Sequence, residues 1–266
     1  MARSLRACIG IRREETNFSV ALLTAYLDES GIHDGDHLCV VAGFIGNDPQ
    51  WAAFANDWIA ALRPKKNLHM KDLRWRRRPS QIMSLLSKLG PIPHKYNLAA
   101  VGVSLSQKDY LASGLEKVSK RFTNPYVICA TCCMSVALTE VAKKDDLHFI
   151  FDRQEGLRRE AMEAIRNFSF DYCGIDSRFK GADFMNRADT VCLDPADYLA
   201  YIIRERESDL KSFKSKVGAP IMGNKGYGGR IQQDQLMTMA QWWQNPPTVA
   251  ETLIDLSKNP YFRGPR

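Results

Sequence analysis

Asp28 and Glu29 close an apolar run, Leu22-Leu23-Thr24-Ala25-Tyr26-Leu27, and are followed by Ser30-Gly31. Asp152 closes a second run, Leu147-His148-Phe149-Ile150-Phe151. Asp197 lies one helical turn after Asp194, next to Pro195. Carboxylates gathered at the rim of a sheet repel one another and cost free energy unless something cationic neutralises them. Hard oxygen ligands from separate elements suit Mg²⁺ or Mn²⁺, which keep several waters and grip a substrate phosphate. Two such ions about 4 Å apart activate water and stabilise the leaving oxygen of a phosphodiester. That chemistry needs no Ser, Cys or His nucleophile. The competing explanation is structural, because single acids commonly end strands and cap helices. Asp194 is open to both readings, as a fourth metal ligand or as a cap.

Such a site requires elements that bring these acids to one edge. Residues 22–28 read as a first strand and His37–Ile45 as a second, joined by a short linker holding Gly31 and Gly35, which predicts an antiparallel hairpin. Pro49 opens a helix to Leu62, with Trp51, Phe54, Trp58 and Leu62 at helical spacing as its core face. A helix over Pro79–Leu89 follows, closed by Gly90-Pro91. Tyr96–Leu105 reads as strand three, Leu147–Asp152 as strand four and Met185–Leu193 as strand five. Helices are expected over Gln107–Lys120, Pro125–Lys143, Leu157–Phe168, Pro195–Glu207 and Pro246–Leu256, and Val217–Arg230 reads as a Gly- and Lys-rich mobile loop. A hairpin-led sheet that then alternates with helices is a mixed α/β sheet. It is not a dinucleotide-binding fold, since no Gly-x-Gly-x-x-Gly follows a strand.

The 266 residues suit one α/β domain with insertions. An excess of Lys and Arg gives a formal net charge of +7, which beside local acidic clusters suggests a polyanionic partner such as nucleic acid. No run of about 18 apolar residues exists, so no membrane helix is expected. The first residues lack the apolar core of a secretory signal. The seven cysteines are odd in number and several lie in apolar runs, which points to reduced thiols in a cytoplasm. Cys129, Cys132 and Cys133 read as buried helix thiols, because no second ligand pair follows at zinc-finger spacing.

Tyr26-Leu27-Asp28-Glu29-Ser30-Gly31 resembles the opening signature of the domain-of-unknown-function 3800 family. The resemblance continues through Val41-Ala42-Gly43-Phe44-Ile45, a helix bearing Trp51 to Trp58, and His69-Met70-Lys71-Asp72. It ends in Leu193-Asp194-Pro195-Ala196-Asp197-Tyr198-Leu199-Ala200-Tyr201, so it covers roughly residues 22–206. It implies an α/β ribonuclease H-like fold, a mixed five-stranded sheet flanked by helices, with a helical insertion at about 49–93. Residues 1–21 and 207–266 are then extensions. The resemblance also implies a metal-dependent nuclease in which Asp28, Asp152 and Asp197 bind metal and Glu29 and His69 are accessory polar positions. Asp194 stands where the family has Gln. The superfamily's acid on the first long helix has no clear match, since Glu140 falls late in Pro125–Lys143. Glu29 carries the charge to replace it, but strand alternation points its side chain away from Asp28.

His69 reads either as a residue that orients a water or shuttles a proton, or as an exposed loop histidine. Leu73–Pro79 is a basic run in which Arg74, Arg76, Arg77 and Arg78 suit phosphate contacts and Trp75 suits stacking on a base. Lys211, Lys214, Lys216, Lys225 and Arg230 form a second, softer basic zone. The expected activity is hydrolysis of DNA or RNA phosphodiesters. The alternative is a non-catalytic nucleic-acid-binding or scaffold protein on the same fold, since a degraded metal site survives on an intact sheet. A protein partner or self-association is compatible with either. A small-molecule phosphohydrolase is disfavoured by the lack of Asp-x-Asp after strand one. An aspartic protease is disfavoured because Asp-Glu-Ser-Gly is not its loop and no second copy exists.

Overall fold

The computed structural model describes residues 20–31, 37–73, 78–118, 124–142, 144–153, 161–165, 178–208, 213–223 and 226–244. Six strands form one mixed sheet: β1 (Leu22–Ser30), β2 (Leu38–Asn47), β3 (Ala99–Ser106), β4 (Asp146–Asp152), β5 (Phe179–Met185) and β6 (Gly226–Ile231). Their order is β5-β4-β1-β2-β3-β6. β2 runs antiparallel to both β1 and β3, so the expected hairpin is present. β4 is parallel to β1, β5 to β4 and β6 to β3.

Helices cover both faces, which makes the fold α/β with a sheet buried on two sides. Ala25 and Leu27 of β1, Val41 of β2 and Phe149 and Phe151 of β4 face one core, against the Pro125–Val136 helix. Val40, Ala42 and Phe44 face the other, with Trp51, Phe54, Trp58 and Leu62 of the Asp48–Leu62 helix and Tyr198, Leu199 and Ile202 of the Asp194–Ser208 helix. The Asp48–Leu62 helix starts from a capping box between Asn47 and Gln50, and its aromatic stripe packs ring on ring. The stretch 49–93 is therefore part of the second core. Cys129 and Cys133 are buried, and burial pushes their thiols up, as it does Cys132 to about 12, so they are neutral core residues.

Several sequence expectations are corrected. The fifth strand is not Met185–Leu193: the strand ends at Met185, and Arg187–Asp189 and Val191–Leu193 are tight 3₁₀ turns. Val217–Arg230 is not a single loop: 217–222 end a helix over Phe213–Met222 and 226–230 lie in β6, the sixth strand that the five-strand reading lacked. The sheet thus draws on residues beyond 206. β6 escapes its poor composition because Gly228 pairs with Gly102, and a Cβ on Gly228 would stand 2.0 Å from the Gly102 carbonyl oxygen. Gln107–Lys120 breaks after Ser113 at Gly114, whose φ of 67° is left-handed. The Pro125 helix runs to Val136 and then loosens into a π turn over Ala137–Val141. Of Leu157–Phe168, residues 161–165 are described and helical. Pro246–Leu256 and residues 1–19 lie outside the described residues. No described helix is long and apolar enough to cross a membrane.

Candidate functional site

β1 and β4 pair in parallel up to Leu27 and Phe151, so Asp28 and Asp152 are the next residues on adjacent strands. Leu27 and Phe151 turn toward the first core, and alternation turns Asp28 and Asp152 to the other face. On that face the Asp194–Ser208 helix packs through Tyr198, Leu199 and Ile202. Its first turn carries Asp194 and Asp197, where the helix dipole favours negative charge. The predicted meeting of Asp28, Asp152 and Asp197 therefore occurs, and all three are buried.

The group that joins them is Arg187. Its Nη2 donates to Asp28 Oδ2 and, at 2.7 Å, to Asp152 Oδ2, while its Nη1 donates to Asp197 Oδ2 at 2.7 Å. A planar guanidinium with several donors can bridge carboxylates that a lysine would meet only as a point charge. One positive charge does not balance the site. Burial, followed by the charges of Glu29 and Asp197, pushes the Asp28 carboxyl well above the usual range, and Arg187 pulls it back only in part. Burial of Arg187 acts to lower its own pKa, but Asp28, Asp197 and Asp152 outweigh that effect and hold it protonated.

His69 and Met70 close the pocket. Asp197 Oδ2 accepts from the Met70 N–H at 2.7 Å and lies 3.1 Å from His69 Nδ1. Arg187 Nη1 also meets His69 Nδ1. That nitrogen thus lies between a guanidinium donor and a carboxylate acceptor. His69 is thus at the site and not a solvated loop histidine. Asp194 anchors the same segment one residue earlier. Its Oδ2 accepts from the Leu68 N–H at 2.9 Å and from Trp58 Nε1 at 3.0 Å. Burial pushes Asp194 up to about 7, against the pull of those two donors. Its Oδ1 is buried without a hydrogen-bond partner.

Glu29 obeys the alternation and lies on the opposite face, the side of Cys39 and Tyr126. Its backbone N–H donates to Asp28 Oδ1 at 2.8 Å. Its side chain is buried with Oε2 unpaired, and the Tyr126 hydroxyl is unpaired as well. Burial, then Asp152 and Cys39, pushes Glu29 up to about 8.

Of the basic residues, Arg78 is exposed at the start of the Pro79–Leu89 helix, and Arg74, Trp75, Arg76 and Arg77 lie outside the described residues. Arg230 is exposed on β6 and pairs with Asp109 at 3.3 Å. Lys214 and Lys216 fall in the Phe213–Met222 helix, and Lys211 and Lys225 lie outside the described residues. Arg187 is the functional residue that sequence reasoning missed. Placing it inside a strand hid it, although Asn186 before it and Asp189-Thr190 after it form a polar run unlike a buried strand.

Among the described residues no group of three or more His, Cys, Asp or Glu side chains stands in metal-holding geometry. The acids are set at hydrogen-bonding distance around a guanidinium, farther from it than the roughly 2.1 Å of a Mg–oxygen bond. Their chemistry nonetheless fits a hard divalent cation: carboxylate oxygens from β1, β4 and a helix N-terminus converge, and the buried Asp194 Oδ1 on the same face lacks a partner. No protein-family model matches this chain, and no curated protein does. Its function is argued from the site alone.

Proposed function

We propose that this chain is a divalent-metal-dependent nuclease on a ribonuclease H-like fold, akin to the domain-of-unknown-function 3800 family. One observation carries the reading: Asp28, Asp152 and Asp197, far apart in sequence, converge on one cationic point at the ends of two parallel strands. The sheet adds support, since the β1–β2–β3 antiparallel strands followed by β4 and β5 parallel to β1 fit the mixed five-stranded core of that resemblance, with β6 added at an edge. The net charge of +7 suits a DNA or RNA substrate, and buried reduced thiols suit a cytoplasm.

Asp28, Asp152 and Asp197 would hold Mg²⁺ or Mn²⁺, which supplies water activation and charge stabilisation at the phosphodiester. Asp197 acts twice, because the Met70 N–H fixes its Oδ2 and sets its angle to the pocket. Asp194 is a positioning residue: it fastens Leu68 and Trp58, so the His69–Met70 segment stays against the acids. His69, at the same pocket, would orient a phosphate oxygen or a water. The basic run Arg74–Arg78 starts four residues after Met70 in the sequence and suits phosphate contacts.

The test is a cleavage screen on single- and double-stranded DNA, RNA and hybrid with Mg²⁺ and with Mn²⁺. Asp28→Asn and Asp197→Asn should each lower cleavage by at least about a thousandfold, on the scale of losing preorganised charge at a reacting centre, with the fold retained. Wild-type turnover in either variant would remove that residue from the mechanism. A second reading, a non-catalytic nucleic-acid-binding protein, is favoured by Arg187, which fills the cation position with a side chain. Nucleic-acid binding with no cleavage under either metal supports it.

A further inference from the structure

We infer that Arg187 is a displaceable internal counter-ion, which must leave the acids before a divalent cation can bond them. The inference rests on the metal-dependent reading above and concerns the competition for its ligands. Arg187 engages the Oδ2 atoms of all three aspartates, the oxygens that would bond a metal. A guanidinium seated there and a divalent cation about 2.1 Å from the same oxygens would be like charges within a few ångström, so the two occupancies exclude each other.

The mismatch of charge points the same way. A permanent structural ion pair would be balanced, yet here one guanidinium faces three carboxylates. Two further carboxylate oxygens, Glu29 Oε2 and Asp194 Oδ1, are buried without partners, and both residues feel the charge of Arg187. The site thus offers more carboxyl oxygens than Arg187 satisfies, and a divalent cation bonding them would displace any protons they hold. The attachment of Arg187 also allows withdrawal. It sits on the short Arg187–Asp189 turn, where Asn186, Ala188 and Asp189 are exposed, and the contacts of its guanidinium at the site are to side chains only. Swinging it outward breaks no strand pairing and opens no apolar core.

The experiment measures Mn²⁺ binding, by calorimetry and by loss of the free-ion electron paramagnetic resonance signal, for the wild type, D28N, R187Q and the double variant D28N/R187Q. If the seated form holds about 90% of the wild-type population, R187Q should bind Mn²⁺ about tenfold more tightly. Asp28→Asn should then remove that site. Equal or weaker binding by R187Q, with Asp28-dependent binding intact in the wild type, overturns this inference and leaves the nuclease reading standing. No Asp28-dependent binding in either protein overturns the nuclease reading itself. R187Q leaves three acids without a cation, so the wild type supplies an arm that does not depend on the folding of that variant. The ¹⁵N guanidinium resonances of Arg187, assigned by their loss in R187K, should gain faster hydrogen exchange as Mg²⁺ is added. Exchange that stays slow while Mg²⁺ binds overturns the inference.

Discussion

Glu29 offers a perturbation whose direction follows from burial alone. In the unfolded chain its carboxyl titrates near 4.5, and in the fold it keeps its proton up to about 8. Between those values the folded protein binds a proton that the unfolded chain has released, so stability falls as pH rises. The full contribution is present below about pH 4.5, and its loss is complete above about pH 8. Converted at about 1.4 kcal/mol per decade, the interval sets a ceiling of roughly 5 kcal/mol. Rearrangement around the ionised carboxylate recovers part of that, which leaves an expected loss of roughly 2–5 kcal/mol. Glu29→Gln removes the titration while keeping the shape. In the presence of a chelator, melting curves of wild type and variant should coincide within a few degrees near pH 5. By pH 8.5 they should separate, with the variant melting higher by about 5–15 °C for a chain of this size. A difference between the two proteins that is flat from pH 5 to pH 8.5 would mean that Glu29 does not hold its proton in the fold, and the electrostatic account of this rim would be wrong.

Asp194→Ala strips the buried Trp58 and Leu68 N–H groups of their acceptor and should cost about 2–4 kcal/mol in urea unfolding, whereas Trp58→Phe, which removes one donor, should cost about 1–2 kcal/mol. The double variant should cost less than the sum, because both changes break the same contact. Gly31→Ala should cost at least about 2 kcal/mol, since φ is 81° and the new Cβ would stand 1.9 Å from the Leu38 carbonyl oxygen; a neutral result would show that the start of the hairpin turn relaxes freely.

The parts of the fold that local pattern can carry were legible before any coordinates. Trp51, Phe54, Trp58 and Leu62 recur on one helical face and are buried. The apolar runs before Asp28 and Asp152 become neighbouring strands, and the acids follow them to the rim. What local pattern missed depends on contacts across the sheet. Gly226–Ile231 has the composition of a loop and becomes a strand because glycine meets glycine where β6 lies against β3. Met185–Leu193 reads as strand from its sequence; in the fold Val191-Cys192-Leu193 form a 3₁₀ turn, with Cys192 and Leu193 buried, that leads into the Asp194–Ser208 helix. That error displaced Arg187 from the rim.

Three buried carboxylates did demand a cation, and the chain supplies one in Arg187. It supplies too little, however, and the first turn of the Asp194–Ser208 helix makes the shortfall costly by pinning Asp197 where it cannot turn away. Its Oδ2 is fixed by the Met70 N–H, and the Leu68 N–H beside it is fixed by Asp194. A protein selected only for stability could relieve this repulsion by replacing one acid with an amide or a hydrophobe, which is often neutral or favourable at buried ionic sites. Retaining Asp28, Asp152 and Asp197 around one guanidinium, with Asp194 beside them, is therefore the pattern of a site whose acids serve a ligand, and the unpaired oxygen of Asp194 marks where the protein's own groups stop satisfying it.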